Sequence, residues 1–167
     1  RQVYGIGAFS LAKDIGVSNK EAKQYIENYL AHYSGVDDYM KKMIDLAKDK
    51  GFSETLFHRK RYLPELASSN RMMRAFGERV ARNMPIQGTA ADIIKIAMIK
   101  VDERMKAENL RARLVLQVHD ELIVEAPQDE SMRVALIVQE EMENAVKMSV
   151  PLTADAAIGR TWYDAKG

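Results

Sequence analysis

The sequence predicts an α+β fold in which helices come first and a small antiparallel sheet backed by helices follows. Three observations carry that class. Apolar residues recur at helical spacing over most of the first hundred positions, two apolar runs rich in β-branched residues flank His119-Asp120, and a further amphipathic stretch follows that pair.

Ser18 and Glu21 stand at capping-box spacing, and Ala22, Tyr25, Ile26, Tyr29 and Leu30 then repeat at helical period. A helix over 19–32 follows, with that side in the core. Ser34 and Gly35 interrupt the pattern, and Val36, Tyr39, Met40, Met43, Ile44 and Ala47 resume it until Gly51 supplies a stop, which gives two helices in antiparallel succession. Thr55-Leu56 and the run from Arg61 to Leu63 flank a basic tip with Pro64 after it, the pattern of a short exposed hairpin. Asn70 to Arg82 reads as a helix, Pro85 as a break, and the residues beyond it as a second, longer helix carrying Ile93, Ile94, Ala97, Met98 and Val101. Leu114 to Ala126 reads as a hairpin with His119 and Asp120 at its apex. Asp129 opens another amphipathic helix with Ala135, Val138, Met142, Ala145 and Val146 on one side, and Leu152 to Ile158 reads as a last strand joining the hairpin.

Composition narrows the classes further. A chain of 167 residues that is 47% hydrophobic and 29% charged builds a core, as one domain or as two sub-domains, rather than a disordered tail. No apolar run approaches the roughly 20 residues that cross a bilayer, and no signal-peptide layout opens the chain, so neither export nor a membrane partner is expected. The absence of cysteine fits an intracellular protein and leaves only oxygen or imidazole to hold a metal. The net charge of +1 hides a strong asymmetry. Between His58 and Arg82 seven cations stand against two acids, and between Asp120 and Ala145 eight acids stand against Arg133 alone. Phosphates on one side and a divalent metal on the other would use that asymmetry; ordinary solvated helix faces would also produce it.

Two groups of residues carry chemistry. Hairpin turns favour Asn-Gly or Asp-Gly, so His119-Asp120-Glu121 is a poor turn former, and it sets two carboxylates at the end of a rigid ribbon, where hard oxygens suit Mg²⁺ shared with phosphate. A solvated turn with an Asx-type hydrogen bond is the other reading of the same tripeptide. Arg79, Asn83 and Gln87 are four apart, so they line one side of successive helical turns and offer the donors that reach base edges and sugars; a solvated polar face would have the same spacing. Tyr4, before Gly5 and Gly7, is a candidate stacking platform or a core tyrosine, and His32 and His58 have no partner at ligand spacing.

Read together and in order, these segments resemble the family A DNA polymerases of the bacterial DNA polymerase I type over essentially the whole chain. VYGIGAFSLA, KEAKQYIENYLAHYSGV, ETLFHRKRYLP, ERVARNMPIQGTAADIIKIAM and LQVHDELIVEAP are similar to successive family segments, and the QGTAADI and QVHDE strings are the most specific. The resemblance implies a fingers part over 1–73 and a palm part over 74–167. It implies that Asp120 holds two Mg²⁺ ions jointly with an aspartate outside this chain, that Glu121 supports the site and that His119 approaches the primer end. Arg79, Asn83 and Gln87, with Arg74, Arg59, Lys60 and Arg61, would bind primer-template DNA, while Tyr4 and Gly5 would seat the templating base. The implied activity is addition of deoxynucleotides from their triphosphates to a primer 3′ end by two-metal phosphoryl transfer, in replication and repair, within the cytoplasm at the bacterial nucleoid. Such a part alone is expected to be inactive, because the first-motif aspartate and the triphosphate-gripping cations would belong to the remainder of the polymerase chain, N-terminal to Arg1. His58 stands where the family usually has a loop glycine. Single-subunit RNA polymerases share the His-Asp element, but Glu121 after it favours the DNA enzymes.

Overall fold

The computed structural model of the chain describes residues 7–166, so the expectations for Tyr4 and Gly5 lie outside the described residues. Two compact units are present, one ending at Thr89 and the other starting at Ala90.

The first unit opens with α1 (Ala8–Ile15), which the periodicity did not announce, and then α2 (Asn19–His32) and α3 (Ser34–Lys50). Ser18 forms the expected capping box with Glu21, its Oγ accepting from the Glu21 amide while the Glu21 carboxylate accepts from the Ser18 N–H. Gly51 ends α3 at φ 75°, in the left-handed region that glycine occupies at low cost. The interior face is narrower than expected. Ala22 is fully buried against Leu11 and Ala12, but Tyr25 is 50% exposed and Tyr39 40%. The basic hairpin is present as β1 (Phe52–Glu54) and β2 (Lys60–Tyr62), paired antiparallel with Ser53 opposite Arg61. Its strands sit a few residues earlier than the sequence pattern suggested, and a 3-10 turn follows at Pro64–Ala67.

The largest correction concerns Pro85. Instead of two helices there is one, α4 (Arg71–Ala107), running through the proline. A proline inside a helix lacks the N–H that would bond the carbonyl four residues back, here that of Ala81. The orphaned carbonyl is supplied from elsewhere, because Ser53 Oγ donates to it at 3.3 Å from the buried side of β1. Ala81 itself is fully buried and packs with Ala47 and Leu63. An unmet carbonyl there would cost about 1–3 kcal/mol, so the serine removes much of the reason for a break.

In the second unit the remainder of α4 carries Ile94, Ala97, Val101 and Met105 inward. Strands β3 (Arg113–Val118) and β4 (Glu121–Glu125) form the expected hairpin, with Val118 opposite Glu121 and a register shift between Leu114 and Leu116. Helix α5 (Ser131–Glu143) starts two residues after Asp129 and buries Val134 and Ile137, with Val138 at the margin, rather than the stripe through Ala135 and Met142. Leu152–Ile158 is not a strand. Its Ala154 amide donates to Glu143 Oε1 at 3.1 Å, so a carboxylate near the end of α5 takes a bond that a ladder would need. The described residues end with α6 (Trp162–Ala165), capped by Thr161 and Asp164.

Candidate functional site

In the first unit, helix α4 and the β1–β2 hairpin enclose a groove lined by Arg59, Lys60, Arg61, Arg79, Asn83 and Gln87. Six of the expected DNA-contacting residues thus lie on one surface. Because α4 is continuous, the row from Arg79 to Gln87 advances about 6 Å per step and spans roughly 12 Å along the axis. The Arg79 guanidinium lies 5.8 Å from the Phe76 ring centre, a stacking contact that limits its swing without consuming its donors. Asn83 Oδ1 is buried and has no hydrogen-bond partner among the described residues. Arg74 does not join the groove lining. Its Nη1 donates to the Ser68 and Ser69 carbonyls at 2.8 and 3.0 Å, which ties the entry to α4.

The hairpin is fixed to α4 by contacts that sequence reasoning missed. Leu56 N–H donates to Thr89 Oγ1 at 2.9 Å, Thr89 Oγ1 in turn donates to the Pro85 carbonyl, and Arg59 Nη2 reaches the Gly88 carbonyl at 3.2 Å. Gly88 is required by proximity, since a Cβ there would lie 2.6 Å from Thr55 Cγ2. Thr55 Oγ1 accepts from the Phe57 and Arg59 amides and shapes the tip. His58 adopts φ 63°, the left-handed conformation that a glycine would take freely. A proline followed by glycine and threonine inside a helical pattern was the available signal.

In the second unit, His119 and Asp120 form a two-residue turn, with His119 at φ 54°. Positive φ at a histidine costs about 1–2 kcal/mol, which agrees with the view that turn propensity did not select this residue. Gln117 Nε2 donates to the His119 carbonyl at 2.6 Å and braces the turn. Both His119 and Asp120 are exposed; Glu121 is half-buried, with Oε2 buried and lacking a hydrogen-bond partner and Oε1 3.5 Å from Lys166 Nζ. Lys166 was not singled out from the sequence. Two adjacent carboxylates, one with an unmet buried oxygen, fit a share of a hard divalent cation's coordination. Among the described residues no group of three or more acids, histidines or cysteines is clustered to hold one alone, so further oxygens would have to come from phosphate, water or another carboxylate. No helix among the described residues is long and apolar enough to cross a membrane.

Comparison with known proteins follows the same lines. A family model described as DNA polymerase family A matches residues 2–164. The chain is 53% identical to DNA polymerase I of Bacillus caldotenax, 52% to that of Geobacillus stearothermophilus and 51% to that of Bacillus subtilis strain 168, in each case over 98% of this chain and 19% of the relative. It therefore spans about a fifth of the length of the curated relatives it matches. Among solved structures it is similar to the POL domain of Pol1 from M. smegmatis in complex with DNA primer-template and dNTP, with a TM-score of 0.93 and 45% identity over 99% of this chain and 29% of that one.

Proposed function

Because the chain belongs to DNA polymerase family A, we propose that it is the C-terminal fingers and palm portion of a DNA-directed DNA polymerase, with fingers over 1–73 and palm over 74–167. The observation that carries this reading furthest is the groove in which Arg79, Asn83 and Gln87 face the basic hairpin. A row of roughly 12 Å spans three to four base-pair steps of a duplex. Arg, Asn and Gln donors placed along a minor groove meet acceptors that are nearly common to all correct pairs, so they check shape without reading sequence. Arg59, Lys60 and Arg61 supply cations for the phosphates, and Arg74, outside the groove lining, would add a further cation for the DNA backbone.

At the other candidate site, Asp120 would hold Mg²⁺ jointly with an aspartate outside this chain. Such ions, when bound, neutralise a triphosphate and make a primer 3′-hydroxyl more acidic. The Gln117 brace on the His119 carbonyl holds the backbone of the turn that carries Asp120 before any ligand arrives, and Lys166 offsets the charge of Glu121 beside it. His119 lies on the exposed face of the turn, free to approach the primer end, and Tyr4 and Gly5 would seat the templating base. The partners are primer-template DNA, deoxynucleoside triphosphates and the rest of the polymerase chain, in the cytoplasm at the bacterial nucleoid.

Gln87→Ala in the complete polymerase tests the groove. Primer-template affinity should fall by about 1–3 kcal/mol with little sequence preference, raising Mg²⁺ should not restore it, and extension from matched and mismatched ends should change differently. Lys60→Ala should instead reduce the salt dependence of binding and leave the mismatch response unchanged. Unchanged affinity and mismatch extension in Gln87→Ala would return the row to a solvated face.

A further inference from the structure

The helix that carries Arg79, Asn83 and Gln87 contains a proline within that row, two residues after Asn83 and two before Gln87. A proline at such a place commonly bends a helix, because a hydrogen bond is lost and its ring crowds the preceding turn. Any bend here would change the spacing and direction of Gln87 relative to Arg79. The helix nevertheless continues through residue 85, and the carbonyl that the proline frees, on fully buried Ala81, accepts from the hydroxyl of Ser53. Ser53 is 5% exposed, and the same face of the hairpin presents Thr55, 3% exposed, to the open Cα of Gly88. Past the proline, Thr89 Oγ1 joins the Pro85 carbonyl to the Leu56 amide. Hairpin contacts therefore bracket the proline on both sides.

We propose that Ser53 is a positioning residue for the primer-template row, and that the β1–β2 hairpin acts as a splint across Pro85. Ser53 itself touches no DNA. It replaces the backbone donor that Pro85 lacks and so holds Arg79, Asn83 and Gln87 in one register. The inference rests on the groove reading of that row, and it adds a dependence that the row's own chemistry does not require: the need for the serine hydroxyl exists only while residue 85 is proline.

The experiment is a cycle of Ser53→Ala, Pro85→Ala and the double variant in the complete polymerase, with Gln87→Ala measured beside it. The readouts are affinity for matched and mismatched primer-templates and the melting temperature. Ser53→Ala should weaken matched binding roughly fivefold to tenfold, with a smaller loss at a mismatched end, so that the ratio of the two affinities moves. Pro85→Ala restores an N–H aimed at the Ala81 carbonyl, so on that background Ser53→Ala should change affinity by less than about twofold. Should Ser53→Ala alone lose the fold, Pro85→Ala must restore both fold and affinity. Wild-type affinity in Ser53→Ala, an equal loss on both backgrounds, or a fall in melting temperature with the affinity ratio unmoved would each overturn the proposal. If Gln87→Ala weakens binding and Ser53→Ala does not, the splint alone fails. If Gln87→Ala has no effect, the groove reading fails and takes the splint's role in DNA binding with it.

Discussion

Helix propensity alone predicts that Gly88→Ala, in the interior of α4, stabilises by about 1 kcal/mol. The packing predicts the opposite sign. A methyl at position 88 would lie 2.6 Å from Thr55 Cγ2, whereas two carbons settle at roughly 3.5–4 Å, so the threonine must retreat by about 1 Å. It is poorly placed to do so. Thr55 is buried, and its Oγ1 accepts from the Phe57 and Arg59 amides, each at 3.2 Å, so rotating the side chain forfeits both bonds. Overpacking of this kind costs about 1–3 kcal/mol, and each lost hydrogen bond adds about 0.5–1.5. Set against the propensity gain, the net result should be a destabilisation of about 1–5 kcal/mol, read by chemical denaturation, with faster amide exchange at Leu56 and Arg59. Thr55→Ser deletes the methyl and keeps the oxygen. In that background Gly88→Ala should recover the stabilising sign, a coupling of at least about 1.5 kcal/mol across the cycle. Stabilisation by Gly88→Ala with Thr55 intact, or additivity of the two changes, would show that the hairpin does not press on α4 as described.

Two further consequences concern stability. His58→Gly should raise stability by about 0.5–1 kcal/mol, because relief of the left-handed φ exceeds the entropy that glycine adds to the unfolded chain; a melting temperature that falls would refute this. At the end of α4 the Arg133 hydrogen bonds hold the Glu108 carboxyl below its ordinary range, burial opposes them in part, and the weaker hydrogen bond from Arg104 adds to the lowering. A depressed carboxylate contributes stability that is present above its unfolded value, near 4.5, and is lost as pH falls through the lower folded value. Acid unfolding should accordingly differ between wild type and Glu108→Gln above about pH 5 and converge as the pH falls below the lowered folded value, and parallel curves across that window would contradict the assignment. Arg104 is shifted upward by Glu141, then Glu140 and Glu108, and Arg133 by Glu108 above all, but both guanidinium groups stay charged throughout the acid range and do not shape the acid limb.

What the sequence disclosed was mostly local. The Ser18–Glu21 capping box, the Gly51 stop and the His119-Asp120 apex each depend on residues within a few positions, and each is present. The continuity of α4 could not be read that way, because the donor that compensates Pro85 sits 28 positions before the carbonyl it serves. Leu152–Ile158 has strand-like composition, but composition does not say that its Ala154 amide is taken by Glu143. The buried side of α5 was misjudged because several apolar stripes fit its sequence and only tertiary packing chose Val134 and Ile137. At the candidate site, the spacing of Arg79, Asn83 and Gln87 was legible while the hairpin wall facing them was not. The Asp120–Glu121 pair was likewise legible, but the approach of Lys166, forty-odd residues later, was not.

The most direct test of the central claim is single-turnover primer extension by the complete polymerase carrying Asp120→Asn, at saturating Mg²⁺ and with primer-template affinity measured on the same preparation. A neutral amide holds a divalent cation far more weakly than a carboxylate does, so turnover should fall at least ~100-fold while DNA affinity stays largely intact. A near-normal rate would remove Asp120 from the metal site, and with it the catalytic role assigned to the strained turn.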